Sequence, residues 1–130
     1  MSTQVIHTDL APAAIGPYSQ AVSLDLATAG KLLFCSGQIG LDPASGNLRE
    51  GFEAQVDQAL ANMQAVIAAA GGSLNGIVKL TLFLTDLGNF AAVNAKMEAL
   101  LAKPYPARST VGVASLPKGA LFEIEAIVAL

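Results

Sequence analysis

Apolar residues recur every three or four positions between Gly51 and Ala70: Phe52, Val56, Leu60, Met63, Ile67 and Ala70. That is the period of an amphipathic helix, and the Gly71-Gly72 pair after it is a glycine stop. From Val78 to Thr85 the period drops to two. Val78, Leu80, Leu82 and Leu84 share one face, and Lys79, Thr81, Phe83 and Thr85 share the other, as in a strand with one buried side. The helical period returns after Asn89, a candidate N-cap, and runs to about Leu101, with Phe90, Val93, Met97 and Leu100 on the apolar side. Pro104-Tyr105-Pro106 breaks that helix. Ser109–Val113 predicts a further strand, Pro117-Lys118-Gly119 a turn, and Leu121–Leu130 the closing strand.

The amino-terminal third is less regular. A short strand is expected at Gln4–His7, followed by proline-punctuated chain through Pro12 and Pro17. Ser19–Leu24 and Leu32–Ser36 flank the small residues Ala27-Thr28-Ala29-Gly30 and read as a hairpin. Asp42-Pro43-Ala44-Ser45-Gly46-Asn47 reads as a loop. The order β, β-hairpin, α, β, α, β, β predicts an α+β fold. Its form is a two-layer sandwich in which two helices pack on one face of a mixed sheet. No internal repeat or linker interrupts residues 1–130, which are expected to form a single domain.

Composition narrows the possible functions. The 130 residues are 53% hydrophobic and 13% charged, too apolar for a disordered chain. The net charge of −3 comes from scattered residues, without the electropositive stripe that neutralises nucleic-acid phosphates. The start, MSTQVIHTDLAP, lacks both regions of a signal peptide, and the apolar run around Leu80–Leu84 is far short of a membrane span. A cytoplasmic protein is expected. One histidine (His7) and one cysteine (Cys35) argue against an imidazole- or thiolate-rich metal site, so no metal is expected. Cys35, inside LLFCSG, reads as a small buried hydrophobe rather than a nucleophile.

Three places invite chemistry. Arg108, one of two arginines, stands between a proline break and a strand. It suits either bidentate grip of a small carboxylate or a surface ion pair. Glu123 and Glu125 alternate onto the same face as Leu121 and Ile127. One of them, partly desolvated, would suit general acid–base work, or the face is simply solvated. Ser36-Gly37-Gln38, with Gly16-Pro17-Tyr18 upstream, offers close backbone approach and an aromatic wall, although turns also need glycine.

Read in order along nearly the whole chain, these places resemble the reactive-intermediate deaminase (RidA/YjgF) family. The matching segments are AAIGPYSQA at 13–21, SGQI at 36–39, Asp42-Pro43 with Gly46, ALAN at 59–62, and VKLT through LTDL across 78–87. Phe90 with Val93-Asn94 follows, and the most telling are PARSTV at 106–111, LPKGA at 116–120 and EIEA at 123–126. The resemblance implies a chorismate-mutase-like fold assembled as a homotrimer, with active sites in clefts between subunits. It implies hydrolysis of 2-aminoacrylate and 2-aminocrotonate, after tautomerisation to the imine, to 2-keto acids and ammonia without a cofactor. Carried over by position, Arg108 grips the substrate carboxylate and Glu123 orients or activates the attacking water. Tyr18 and Ser36 line the pocket, backbone at Gly37 and Thr110 flanks the ligand, and Asn94 on the second helix belongs to the site.

This chain departs from the resemblance in four places. Many members carry cysteine where Thr110 stands, Gly112 replaces a larger polar residue, Met97 replaces a frequent aromatic, and the stretch 24–31 is several residues longer. Two other functions compete with the deaminase. One is a non-catalytic trimeric module binding small carboxylates. The other is an RNA-directed translation inhibitor, against which the acidic charge balance argues.

Overall fold

The computed structural model describes residues 3–130. In chain order the elements are β1 (Thr3–Ile6), β2 (Ala21–Leu24), a single helical turn α1 (Leu26–Ala29) and β3 (Leu32–Gln38). They continue with α2 (Phe52–Ala69), β4 (Ile77–Leu84), α3 (Phe90–Leu100), β5 (Ala107–Gly112) and β6 (Phe122–Ala129). Four strands form one mixed sheet in the order β3-β6-β4-β5. β4 and β5 run parallel, joined through α3, while β6 is antiparallel to both β3 and β4. A parallel pair needs such a crossover, which is why the helical period falls between these two strands.

The period-two pattern sorts the sheet into two faces. Leu80, Leu82 and Leu84 of β4 and Phe122, Ile124, Ala126 and Val128 of β6 are buried on one face. They meet Val56, Ala59, Leu60, Met63 and Ile67 of α2 and Val93 and Met97 of α3 in one core. Phe52 completes it, edge-on to Phe122 with ring centroids 6.3 Å apart. Removing a ring such as that of Phe122 costs about 3–5 kcal/mol in a core of this kind. The opposite face carries Lys79, Thr81, Phe83, Glu123, Glu125 and Ile127, paired across strands in register. Among the described residues no helix covers that face. Phe34, 70% exposed, belongs to it through its pairing with Ile127.

Helix limits follow local chemistry. α2 ends where Gly71 takes φ +84°, and the Gly72 N–H donates to the Ile67 carbonyl at 3.0 Å. α3 begins at Phe90, but the Asn89 side chain makes no capping bond. Instead Asp86 caps the preceding 3-10 turn, accepting from the Gly88 N–H at 2.8 Å.

The expected hairpin of Ser19–Leu24 with Leu32–Ser36 does not form. β2 pairs with β1 in a separate two-stranded ribbon, and β3 pairs with β6. Between β2 and β3, Asp25 accepts from the Ala27 N–H at 2.9 Å and winds Leu26–Ala29 into a helical turn, so the two strands diverge. Cys35 is 8% exposed and faces the core. Burial pushes its thiol pKa up, in keeping with a structural role.

Candidate functional site

Arg108 lies on β5, an edge strand, in register with Leu80 of β4. It therefore projects to the helix side of the sheet, beside the amino-terminal part of α3. Its Nη1 donates to Asn94 Oδ1 at 2.8 Å. The guanidinium carbon lies 5.0 Å from the centre of the Tyr18 ring and 5.6 Å from that of Phe90, a cation held against two aromatic faces. Gly16 permits this closeness, because a Cβ there would come 3.3 Å from both Arg108 Nη2 and Asn94 Nδ2. The Ser19 N–H donates to the Pro106 carbonyl at 2.9 Å, and Ser19 Oγ donates to the Tyr105 carbonyl. These bonds tie the Tyr18 segment to the start of β5.

Arg108 takes part in none of the ion pairs formed among the described residues. Burial lowers its pKa from the ordinary arginine value, with a smaller opposing pull from the Tyr18 oxygen, and it stays a cation at neutral pH. A guanidinium has five N–H groups, and one is engaged here by a protein side chain. Arg108, with Ile15, Tyr18, Phe90 and Thr110, lines an open cleft of about 200 Å³. Chemically, a partly desolvated guanidinium with unengaged donors can pair with a small anion such as a carboxylate.

Glu123 occupies the other face, in register with Phe83 and next to Glu125, which pairs with Thr81. β6 is an inner strand of the sheet, so the glutamates do not sit at an edge. Burial raises the Glu123 pKa above the ordinary carboxylate value, and the charge of Glu125 raises it further. The pairing of β3 with β6 is interrupted between Cys35 and Gln38, where Ser36 and Gly37 fall. Gly37 lies directly over the glutamate, since a Cβ there would be 2.7 Å from Glu123 Cδ. A polar relay from α2 holds the chain that follows. Asn62 Nδ2 donates to the carbonyls of Ile39 and Leu41, and Arg49 bridges Asp42 and Gln58.

The sheet thus divides the residues singled out in the sequence into two groups. Tyr18, Asn94, Arg108 and Thr110 come together on the helix side. Ser36, Gly37 and Glu123 come together on the open side. Within one chain the two groups do not meet. Phe90 and Ile15 line the cleft although sequence reasoning did not assign them to it. The apolar stripe of α3 hid Phe90, and only its place at the first turn, next to Asn94, set it apart. Met97 is fully buried in the core and is not part of the cleft wall. The stretch 24–31 contributes no residue to the cleft. His7 is an exposed residue hydrogen-bonded to Asp9 at 3.1 Å. Among the described residues no group of three or more His, Cys, Asp or Glu side chains is placed to hold a metal.

A mixed sheet packed on one side by two helices, with a cleft around a partly desolvated cation at its edge strand and a partly desolvated carboxylate on its other face, defines a two-layer α+β protein. Comparison with known proteins makes this particular: the chain belongs to the RidA/YjgF family, matching the family model described as Endoribonuclease L-PSP over residues 8–130. It is 50% identical to a RutC family protein of Haemophilus influenzae, over 98% of this chain and 97% of the relative. It is 47% identical to the 2-iminobutanoate/2-iminopropanoate deaminase of Salmonella typhimurium, over 96% of each. The crystal structure of RidA from the Antarctic bacterium Psychrobacter sp. PAMC 21119 superposes with a TM-score of 0.76, at 51% identity, covering 98% of this chain and 99% of that one.

Proposed function

We propose that this chain is a cofactor-independent 2-iminobutanoate/2-iminopropanoate deaminase, hydrolysing reactive 2-imino acids to 2-keto acids and ammonia. The observation that carries the reading is the half-buried Arg108 guanidinium, clasped by Tyr18, Phe90 and Asn94 and lining a cleft the size of a small carboxylic acid. The substrate carboxylate pairs with Arg108, fixing the imine carbon at the cleft mouth. A protonated imine is already electrophilic, so the protein has only to position a water and move protons. Glu123 takes a proton from that water as it adds to the imine carbon. Glu123 then returns the proton to the nitrogen of the tetrahedral carbinolamine, and the C–N bond breaks to release ammonia. The hydroxyl proton passes back to Glu123 and on to the departing ammonia as the ketone forms. The raised pKa of Glu123 suits these transfers.

Arg108 and Glu123 of one chain lie on opposite sides of the sheet, so the complete site is assembled between copies in a homotrimer. Arg108, Tyr18, Asn94 and Thr110 come from one subunit, and Ser36, Gly37 and Glu123 from its neighbour. Support comes from the uncovered face, where Phe34 is 70%, Val111 39% and Leu121 37% exposed. The 130 residues act as one domain and work in the cytoplasm; no described helix is long and apolar enough to cross a membrane. The family description names an endoribonuclease, but a net charge of −3 opposes binding to a phosphate backbone, and nucleic acid is not the substrate proposed here.

The test is keto-acid release from 2-aminoacrylate or 2-aminocrotonate, generated in situ by a dehydratase. Wild type should accelerate release and Arg108→Ala should not. No acceleration by well-folded, oligomeric wild type overturns the enzyme in favour of a carboxylate-binding module.

A further inference from the structure

We propose that this chain carries a second ligand site, for a small aliphatic carboxylate, in a cavity beyond the carboxyl-terminal end of α3. The site does not rest on the deaminase reading. Its volume is about 300 Å³, and it is larger and more enclosed than the cleft around Arg108. That is the low end of the range for small-molecule pockets. At the roughly 30 Å³ that a water occupies in the liquid, it takes on the order of ten heavy atoms. That is too few for a peptide or a helix and enough for a short fatty acid.

The walls are mostly apolar. Val5 and Val22 are register partners across the β1–β2 ribbon, so they share one of its faces, and both line the cavity. Val5 is 40% exposed, which leaves apolar surface of the ribbon for a ligand to cover. Opposite them stand Ile77 at the start of β4 and Leu101 just past α3, both members of the core, with Leu74 packed against it. The charged group of the lining is Lys103, at the exposed rim, and no lining residue is a carboxylate. Lys103 takes part in none of the ion pairs formed among the described residues. Its charge also offsets the negative carbonyl end of α3, which would otherwise repel an anion. An apolar cavity edged by an unpaired ammonium, in a chain of net charge −3, selects an apolar tail with an anionic head.

The cavity is separate from the cleft at Arg108. Phe90 and Asn94, which hold the guanidinium, lie in the first two turns of α3, whereas Leu101 follows its last residue. The 11 residues of that helix span about 16 Å, farther than a short fatty acid reaches.

The probe is hexanoate, titrated by calorimetry and by amide NMR into the full-length Arg108→Ala chain. Removing the cation of the cleft makes the measurement read the cavity, whether or not the chain turns over imines. One hexanoate per chain should bind saturably at about millimolar concentration, the affinity of a ligand that small. Amide shifts should centre on Val22, Leu74 and Leu101. Lys103→Gln, on an exposed residue, should weaken binding by about tenfold at an unchanged melting temperature, the effect of one charged hydrogen bond. Val22→Phe, which fills the cavity, should abolish it. Hexan-1-ol, with the same tail and no charge, should bind at least about tenfold more weakly than hexanoate. Absence of saturable binding by the folded chain overturns the proposal. So do shifts centred on Tyr18 and Phe90, or binding that Lys103→Gln and Val22→Phe both leave unchanged. Equal binding of hexan-1-ol overturns the carboxylate as the ligand class.

Discussion

Gly37→Ala separates the placement of Glu123 from the integrity of the fold. Gly37 does not need a left-handed backbone, so alanine is conformationally admissible there. The new Cβ, however, would sit 2.7 Å from Glu123 Cδ and 3.0 Å from both Cγ and Oε2. Contacts that short do not persist, and the atoms in the way are the end of a flexible side chain. The carboxylate is expected to swing aside by about 1 Å while the strands stay in place. A misplacement of that size costs on the order of a hundredfold in rate, about 2.7 kcal/mol in the barrier. Gly40→Ala is the matched control. Its Cβ would lie 2.5 Å from Gln55 Cα and 2.6 Å from the Gln55 carbonyl oxygen, and that backbone cannot yield cheaply. Overpacking there should cost about 1–3 kcal/mol of stability. Urea unfolding and steady-state keto-acid release on both variants give the comparison. Gly37→Ala should unfold like wild type with a low kcat, whereas Gly40→Ala should unfold early. A Gly37→Ala protein with wild-type kcat/KM and normal assembly would refute the view that the glutamate works from its place beneath that glycine.

Three further outcomes are expected. Activity should rise with pH through the Glu123 ionisation, at a pH above that of an ordinary carboxylate. Glu125→Gln should move this limb toward acid without bringing it to the ordinary value, since burial is the larger cause and remains; a pH–rate profile of both proteins reads it. The same shift touches stability: a carboxyl whose pKa is raised by folding stabilises the fold fully below about pH 4, and that contribution is lost as pH rises through the folded value. Mixing Arg108→Ala chains with Glu123→Gln chains and reassembling them should restore keto-acid release that neither gives alone, and absence of recovery in demonstrably mixed assemblies would place both groups in one chain. Gln55→Leu should lower stability by about 1 kcal/mol in denaturant titration, because it takes from the part-buried Leu121 N–H the acceptor now 2.8 Å away.

The core and the chemistry were legible in the sequence to different depths. The 3.6 and 2.0 periods located α2, α3, β4 and β6 within a residue or two, because burial on one side writes itself into the order of residues. Alternation also put Glu123 and Glu125 on one face, as found. Pairing partners were not legible: β2 and β3 carry the marks of strands, but nothing local says that one joins β1 and the other β6. The same gap hid the division of the site. That Arg108 and Glu123 sit on opposite sides depends on the registers Leu80 with Arg108 and Phe83 with Glu123, which are tertiary facts. The Asn94–Arg108 bond and the aromatic clasp arise between segments far apart in the chain, so no local pattern announces them. The Asp25 cap was the exception: an N-cap residue ahead of Leu26–Ala29 was a readable sign against a hairpin tip.

Because strand residues alternate strictly between the two faces, the protein can vary in spelling more readily than in length. Deleting one residue of β6 ahead of Glu123 would turn the carboxylate into the core and carry Ile124 to the bare face. Inserting one residue before Arg108 in β5 would likewise empty the cleft of its cation. Changes of a single residue in length should therefore be purged from β5 and β6 in any lineage that keeps this chemistry. They should collect instead in the turn from Asp42 to Asn47 and around Leu26–Ala29, where no face is at stake. A library of random one-residue insertions, selected for activity, would draw that boundary directly.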